Sequence, residues 1–425
     1  MRKASGFLAA AAMLLAPHAM AETYIHAGRL LDVDSGRLES DQAILVDDEG
    51  RIRAVGPASA LAPPADATVI DLAAYTVLPG LIDAHVHLLA DAETHGYRAL
   101  SLSLPRRTII GVRNAKRTLE AGFTTVRNVG ADGYADVALR DAIAADEVPG
   151  PRLLVSGPPI GITGGHCSDE NLLPFEYHRI GEGVADGPWA ARAKVRQNVK
   201  YGVDLIKTCA TGGVLSKGTE VGAPQYTLEE LTALVDEAHM HGRKVAVHAH
   251  GATGIRNAIR AGADSIEHAS FIDDAGIRLA KKHHTVLVMD IYNTEYILGA
   301  GEAAGILPES LDKERRTGSV QRANFSKAHA AGVTIAFGTD AGVYPHGHNA
   351  RQFSRMVRFG MTPLEAIRAA TTVAADLLGV ADFTGRIRPG LSADIIAVEG
   401  DPLAHVELLE EVRFVMKEGR VYKAP

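Results

Sequence analysis

Short apolar runs alternate with longer amphipathic stretches through the middle of the chain. The runs begin near eight positions: Leu81, Phe123, Leu153, Val203, Val245, Ser265, Val286 and Val333. One intervening stretch, Leu228 to His241, is preceded by the capping residue Thr227 and followed by Gly242, as is typical of a helix. Strands that alternate with helices favour a parallel sheet, and eight such strands close a barrel. The pattern therefore predicts an α/β fold with a (β/α)8 TIM barrel over residues 79–382.

Both ends of the chain carry a different pattern, in which short β-like runs are separated by tight turns. Residues 22–78 include two apolar runs on either side of a turn at Gly50, which is a hairpin pattern. Residues 383–425 carry a matching set, which begins with the run Asp394–Val398. We expect the two ends to form one small composite β-sandwich domain beside the barrel.

The first 21 residues have the features of an export sequence. Arg2 and Lys3 precede an apolar run, and Ala19-Met20-Ala21 supplies small residues at a cleavage site. A membrane anchor is the alternative, but the run is shorter than the roughly 20 apolar residues of a spanning helix. We expect a secretory signal peptide at residues 1–21, export to a bacterial periplasm, and no membrane attachment after cleavage.

The net charge limits the classes of partner that the protein can bind, and its two cysteines raise the question of a disulfide. A formal net charge of −7 argues against nucleic acid or an anionic membrane surface as a partner. The chain has two cysteines, Cys167 and Cys209. An exported protein can keep a disulfide, and the sequence leaves their pairing open; two free thiols are the simpler expectation.

The strongest local motif is the sequence DAHVH at the end of the first predicted barrel strand. His85 and His87 stand two residues apart there, and alternate residues of a strand point to the same face. Two imidazoles on one face suit a zinc ion. A pair of hydrogen-bonded core histidines is the alternative, but the pair at a strand end favours a metal site.

Further residues with ligand chemistry stand at the ends of later predicted strands. They are Lys207, His248, His268 and Asp340. The carboxyl ends of barrel strands meet at one face, where the active sites of such barrels lie. Each residue alone could form an ordinary ion pair, but all six positions in this order predict one site.

With these six residues, the chain resembles the amidohydrolase superfamily over nearly its whole mature length. The resemblance implies two divalent metal ions, with Zn²⁺ as the first expectation and manganese, cobalt or iron as alternatives. It also implies that Lys207 is N-carboxylated, since a carbamate would bridge two cations that an ammonium would repel. A hydroxide between the metals would then attack the scissile carbonyl, while Asp340 carries a proton to the leaving amine.

Shorter motifs indicate which branch of the superfamily the chain resembles. GITGGH at 161–166, ATGGV at 210–214, QYT at 225–227 and HAHG at 248–251 are similar to the imidazolonepropionase-like branch with its Xaa-Pro dipeptidases and carboxypeptidase-like members. The chain also resembles bacterial amidohydrolases that cleave ochratoxin A. We expect a hydrolase of C–N amide or peptide bonds that releases a C-terminal amino acid from dipeptides, N-acyl amino acids or ochratoxin A-like conjugates. The alternatives are a cyclic amide, imidazolone or lactone hydrolase, and a non-catalytic metal-binding barrel protein.

Four residues outside the ligand set are expected to contact the small amide substrate. His166, in a Gly-rich loop, is a catalytic candidate that would orient the substrate carbonyl or its oxyanion, with a surface histidine as the alternative. Tyr226 resembles a family tyrosine that hydrogen-bonds the substrate, with a packing tyrosine at a helix entry as the alternative, and Tyr292 and His346 lie in loops after the last two strands. His250 shares a face with His248, and we expect it to support the ligands. The resemblance further implies a homo-oligomer, for which an octamer is one form.

Overall fold

The structure is a computed structural model that describes residues 22–168 and 171–425. The expected signal peptide lies outside these residues. The strands, in chain order, are β1 Thr23–Asp32, β2 Arg37–Val46, β3 Ile52–Pro57, β4 Thr68–Pro79, β5 Leu81–Val86, β6 Phe123–Asn128, β7 Arg152–Val155, β8 Leu205–Cys209, β9 Lys244–Ala249, β10 Ser265–His268, β11 Val286–Val288, β12 Ile335–Ala336, β13 Ile395–Glu399, β14 Phe414–Lys417 and β15 Arg420–Lys423.

The helices fall between the strands of the middle region. They are α1 Leu104–Glu120, α2 Ala135–Ala144, α3 Pro188–Lys200, α4 Leu228–Met240, α5 Ala252–Ala261, α6 Asp274–His283, α7 Asn293–Ala300, α8 Pro308–Ala330, α9 Arg351–Arg358, α10 Pro363–Ala369 and α11 Thr372–Leu378. Short 3₁₀ turns lie at Gly96–Ser101, Asp132–Tyr134, Phe175–Tyr177 and Val406–Glu411. Within the described ranges, no helix combines the length and apolarity needed to cross a membrane.

Strands β5 to β12 form the predicted barrel. β5–β7 and β8–β12 are two parallel sheets, and parallel bridges from Ile160 to Thr208 and from Val86 to Ala341 join them. The eight strands start within two residues of the eight apolar runs. The expected (β/α)8 architecture is confirmed, because each apolar run is a short and largely buried strand of the barrel.

Helix α4 shows how local sequence sets these boundaries. The Thr227 side chain accepts a hydrogen bond from the Glu230 backbone N–H, and the Glu230 carboxylate accepts one from the Thr227 backbone N–H, which forms a capping box. The helix ends just before Gly242, whose φ of 67° lies in the left-handed region that glycine adopts most readily. The predicted start and stop are therefore both present.

Both ends of the chain contribute to one seven-stranded sheet, in the order β15-β14-β13-β4-β1-β2-β3. The C-terminal strand β13 pairs antiparallel with β4, so that Ile395 lies opposite Pro79. The backbone of Ile52 also bonds to Gly390 and Leu391, which brings the edge strand β3 against the segment before β13. An apolar cluster with residues from β1, β2, β3, β4, β13 and β14 fills the space between. The expected composite β domain is confirmed.

One larger apolar cluster joins the β domain to the barrel. It includes Leu31 and Val415 from the terminal segments together with Phe123 and Phe337 from the barrel. The Phe123 and Phe337 rings stack with centroids 5.6 Å apart. The two units therefore share a core, and this places the strand ends with the ligand residues on a rigid base.

Candidate metal centre

The carboxyl ends of the barrel strands bring the six predicted ligands to one cavity of about 270 Å³. All six side chains contribute to its wall: His85, His87, Lys207, His248, His268 and Asp340. They come from positions between 85 and 340 along the chain, so the barrel closure alone places them together. This arrangement is what the strand-end positions predict.

His85, His87 and Asp340 form one compact group. Asp340 Oδ1 lies 3.4 Å from His85 Nε2 and 3.2 Å from His87 Nε2. His85 Nε2 is buried and has no well-oriented hydrogen-bond partner among the described residues. A buried polar atom without a partner is unusual, and a cation held by the two imidazoles and the carboxylate would satisfy it. The donor set therefore fits a divalent metal ion.

A buried ion pair fixes the orientation of the His85 ring. His85 Nδ1 donates to Glu267 Oε2 at 2.7 Å, and the other Glu267 oxygen accepts from Arg127 Nη2 at 2.9 Å. Burial alone raises the pKa of Glu267, but the charge of Arg127 and the His85 hydrogen bond outweigh it and hold that pKa well below its usual range. Because Nδ1 carries the proton, Nε2 keeps its lone pair for a metal.

His248, His250 and His268 form a second group, whose ligand atoms lie within 4.8 Å of one another. His248 Nε2 donates to the Gly212 carbonyl at 3.3 Å, which leaves Nδ1 as the free lone pair. His268 Nδ1 donates to Asp290 Oδ1 at 2.7 Å, which leaves Nε2. His250 also lines the cavity, while its Nδ1 pairs with the Ser270 hydroxyl at 2.7 Å. The structure thus offers donors for a second cation.

Asp340 is held by its backbone as well as by its side chain. Its φ of 57° lies in the left-handed region, which costs a non-glycine residue about 1–3 kcal/mol. Its backbone N–H donates to the His85 carbonyl at 2.8 Å, and Asn293 Nδ2 donates to its Oδ2 at 2.9 Å. Burial opposes ionisation, but the adjacent His85 and His87 rings outweigh it and hold the pKa of Asp340 well below its usual range. Asp340 is therefore an ionised carboxylate that faces the two rings.

Lys207 is buried on the same wall, near the end of β8. Burial lowers its pKa to about 8, although the charges of Glu267 and Asp340 act in the opposite direction. A lysine ammonium is a poor neighbour for the imidazole donors of a metal site. The position is thus suited to the modified, anionic form that the family resemblance implies.

His166 lies in the cavity wall beside the second histidine group. Its ring packs on His248 with centroids 4.2 Å apart, and its backbone N–H donates to Gln225 Oε1 at 3.0 Å. A Cβ at Gly213 would lie only 2.4 Å from the His166 ring, so the glycine makes room for it. Burial lowers the pKa of His166 to about 3. The ring is therefore neutral and can donate one N–H.

Cys167 and Cys209 form a disulfide, so the expectation of two free thiols is wrong. The loop after β7 folds back over the end of β8, which brings the two Cα atoms to 6.5 Å although the residues are 42 apart in sequence. Both cysteines line the cavity. The disulfide ties the residue after His166 to a strand that also carries Lys207.

Three of the expected substrate contacts lie elsewhere in the described chain. Tyr226 is buried, and its hydroxyl donates to the Ala185 carbonyl at 2.7 Å. The Tyr292 hydroxyl accepts from Arg351 Nη1 at 2.9 Å, and its ring packs on Tyr344. Both hydroxyls have protein partners here, and contact of either tyrosine with a substrate stays a prediction.

His346 is the third of these residues, and it supports a ligand. Its Nε2 donates to the His87 carbonyl at 3.2 Å, and its Nδ1 accepts from the Thr118 hydroxyl at 2.9 Å. Both ring nitrogens are thereby used. His346 positions the backbone of His87 and does not face the cavity.

Several supporting residues were missed by the sequence analysis. They are Arg127, Glu267, Asp290, Asn293 and Gln321. Only Glu267 had a local indication, since it directly precedes His268 on a strand. The others are polar residues whose partners lie far away in sequence, so no local pattern identifies them.

Known proteins supply an independent comparison. The sequence profile described as the amidohydrolase family matches residues 76–422. The chain belongs to the amidohydrolase family. A curated relative, ochratoxinase from Aspergillus niger, is 34% identical over 372 residues, covering 82% of this chain and 76% of that protein. Imidazolonepropionase from Chromobacterium violaceum is 26% identical over 422 residues, covering 91% of this chain and 92% of that protein.

Solved structures agree with this assignment. A Xaa-Pro dipeptidase with methionine bound in its active site is 38% identical, covers 95% of this chain and 100% of its own, and has a TM-score of 0.89. The crystal structure of A. niger ochratoxinase is 31% identical, with a TM-score of 0.85 and coverage of 95% and 96%. The amidohydrolase is thus a hydrolase that acts on amide bonds, related to ochratoxinase and Xaa-Pro dipeptidase.

Proposed function

We propose that this amidohydrolase cleaves amides whose leaving group is an amino acid. Its substrates would be dipeptides, N-acyl amino acids or ochratoxin A-like conjugates, and its product a free C-terminal amino acid. The observation that carries the proposal is the single cavity wall formed by all six ligand residues. The similarity to ochratoxinase and to a dipeptidase with bound methionine supports this leaving group.

Two divalent cations, with Zn²⁺ as our first choice, would be held by the two histidine groups together with Asp340 and Lys207. Bound there, they would lower the pKa of a water molecule and polarise the scissile carbonyl. His85 and His268 present the Nε2 lone pairs that their buried carboxylate partners leave free. The protein thus fixes its ligands before any metal arrives.

The residues of the chain account for the proton transfer and the orientation of the substrate. Asp340, ionised and wedged between His85 and His87, accepts a proton and returns it to the leaving nitrogen. His166, neutral and above His248, donates its N–H to the carbonyl oxygen as negative charge develops there. Both groups are largely buried, and the lower effective dielectric of the protein strengthens both interactions.

We further propose that Lys207 is N-carboxylated. A buried ammonium beside two cation sites would repel the metals, whereas a carbamate would supply an anionic ligand. The Lys207→Ala variant should lose activity and regain part of it with a small carboxylic acid such as propionate, which fills the same space with a carboxylate. Failure of every short carboxylic acid to restore activity or metal content would contradict this role.

Hydrolysis of a cyclic amide or imidazolone is the second candidate, because imidazolonepropionase is among the relatives. A mass-spectrometric screen of the zinc-loaded protein separates the two candidates. It would test dipeptides, N-acyl amino acids, ochratoxin A, imidazolones and lactones side by side. Release of a free amino acid supports the proposal, while ring opening alone would replace it with the second candidate.

Export and assembly are also proposals. Mass spectrometry of the protein secreted to a bacterial periplasm should find Glu22 as the first residue, since cleavage is expected after Ala21. Light scattering of the purified protein should give the mass of a homo-oligomer. An uncleaved N-terminus or a monomer would contradict the corresponding proposal.

A further inference from the structure

Helix α8 forms a polar wall of the cavity that the proposed mechanism does not use. Glu314, Thr317 and Gln321 all line the cavity. They stand three and seven residues apart, so they share one face of the helix. Gln321 is engaged, since its Nε2 donates to Asp290 Oδ1 at 3.0 Å and to the His268 carbonyl. Glu314, which is only 5% exposed, has no role in the proposed mechanism.

No cationic side chain lies within ion-pair distance of Glu314 in the described part of the chain, although the Thr294 hydroxyl and the more distant Arg322 charge act on its carboxyl. Lys313 turns away and donates to the Ser216 carbonyl at 2.6 Å. Arg322 donates to the Ile291 carbonyl at 3.1 Å and lies 3.4 Å from Glu295. A buried carboxylate without a paired cation is costly, and burial raises the pKa of Glu314 to about 7.

The hydrogen-bond polarity of this wall selects the kind of ligand that fits. The Thr317 hydroxyl donates its proton to the Lys313 carbonyl at 2.8 Å, so only its oxygen lone pairs remain for a ligand. Glu314 as a carboxylate also offers only acceptors. The negative charges of Asp290 and Asp340 act on the same region. These features favour a cationic donor and disfavour a carboxylate.

We propose that Glu314 is a specificity-determining residue that binds a positively charged ammonium or guanidinium group of the substrate. The inference rests on the proposed amide hydrolysis and deepens it. A free α-amino group at the N-terminus of a dipeptide carries this charge, and so does the side chain of a basic leaving amino acid. The neutral acyl group of an N-acyl amino acid lacks it.

The experiment uses two pairs of substrates that differ in one charge. The first pair is alanyl-phenylalanine and its N-acetylated form. The second pair is Nα-acetyl-lysine and N-acetyl-norleucine, in which lysine or norleucine is the leaving group. KM and kcat are measured for the zinc-loaded wild type and for Glu314→Gln. Asp312→Asn is the matched control, because Asp312 lies on the same helix but is 69% exposed.

Glu314→Gln should raise KM for the charged member of one pair by about tenfold, because a charge-assisted hydrogen bond is lost. KM for the neutral members and all values for Asp312→Asn should change by less than about twofold, as expected for distant surface changes. A selective effect in the first pair identifies the α-amino group, and one in the second pair identifies the basic side chain. Equal effects on charged and neutral substrates would overturn the inference and leave the proposed function intact.

Two further measurements cover the remaining outcomes. If Glu314→Gln does not fold, Thr317→Val, which removes the second acceptor at similar volume, should give the same selective rise in KM. If no compound is cleaved, the proposed function fails, and calorimetric titration of the same uncleaved compounds decides the inference alone. Tighter binding of a charged member that Glu314→Gln abolishes supports it, whereas equal affinities contradict it.

Discussion

Asp340 combines a strained backbone with a side chain that touches both histidines of the HxH motif. The left-handed φ of 57° and the hydrogen bond from Asn293 aim its carboxylate into the cavity. A strained backbone conformation persists where several surrounding contacts hold it, and such strain is common at active sites. We therefore expect the residue to take part in the proton transfer as well as to hold a metal ion.

Replacement of Asp340 by Asn tests this role. The variant should retain metal, because the other five ligand residues remain, but kcat should fall by about 10²–10⁴-fold, since the amide cannot accept the proton. Metal analysis and kinetics of the same preparation give both numbers. Activity within about tenfold of wild type would remove Asp340 from the proton transfer.

Glu267 determines which nitrogen of His85 is free for a metal. In Glu267→Gln the neutral amide no longer stabilises the Nδ1-protonated ring or pairs with Arg127, so the metal dissociation constant should rise by about 10–100-fold. Titration with a fluorescent chelator measures this constant. The control is Glu229→Gln on the exposed start of α4, which should bind metal like the wild type; an unchanged constant in Glu267→Gln would contradict the ring-orientation argument.

The residues that the sequence revealed are those with a local pattern. His85 and His87 stand out because two histidines alternate on one strand, and Lys207, His248, His268 and Asp340 because each follows an apolar run. The contacts of Glu267 could not be predicted from the sequence, because His85 is 182 residues away and Arg127 is 140 residues away along the chain. Tyr226 was chosen because its sequence neighbours resemble a family motif; its hydroxyl donates to the Ala185 carbonyl, and its contact with a substrate stays a prediction.

At the scale of elements, the loop after β7 is the part of the site with the least regular structure. It carries His166 to the cavity, and the disulfide from Cys167 to Cys209 fastens it to the end of β8. The φ of 61° at Cys167 shows a left-handed residue directly after His166. The disulfide therefore adds a covalent link to the loop that carries this catalytic candidate, beside the hydrogen bond from the His166 N–H to Gln225.

The double variant Cys167→Ala/Cys209→Ala tests this attachment. Loss of a link between residues 42 apart should reduce the free energy of unfolding by roughly 4 kcal/mol in the chain-entropy estimate. The melting temperature and kcat should both fall, because the loop and His166 gain freedom. A reducing agent should reproduce these losses in the wild type and have no effect on the double variant. Unchanged kcat in the reduced wild type would contradict the positioning role.

The whole molecule is held together where the barrel meets the β domain. Arg152 at the start of β7 donates to Asp394 at 2.7 Å and to Glu418 at 2.7 Å. Asp394 is fully buried just before β13. A shared apolar cluster surrounds this contact, so we expect the two units to unfold together.

Arg152→Met provides a test at this scale. Removal of one partner of a buried pair leaves the other charge uncompensated, which costs about 3–5 kcal/mol. Calorimetry should therefore show a lower melting temperature with one cooperative transition, because both units lose the same contact. Arg37→Met, at an exposed position on β2, is the control. Two separate transitions would show that the units are energetically independent.

The architecture was predictable because the local spacing of apolar residues indicates it. Eight apolar runs spaced by helical patterns specify the barrel, and hairpin patterns at both ends specify the composite sheet. The sequence does not show how β4 pairs with β13, since Pro79 and Ile395 are far apart along the chain. The disulfide escaped prediction for the same reason, because a pairing depends on the path of the loop after β7.

Removal and return of the metal test the central claim most directly. The purified protein, dialysed against a strong chelator and then titrated with Zn²⁺, is assayed for release of a free amino acid from the best substrate of the screen. Two divalent cations per chain, loss of hydrolysis on chelation and its return as the metal is restored are the expected results. Hydrolysis that continues in protein with fewer than about one metal per chain would contradict a metal centre formed by the six strand-end residues.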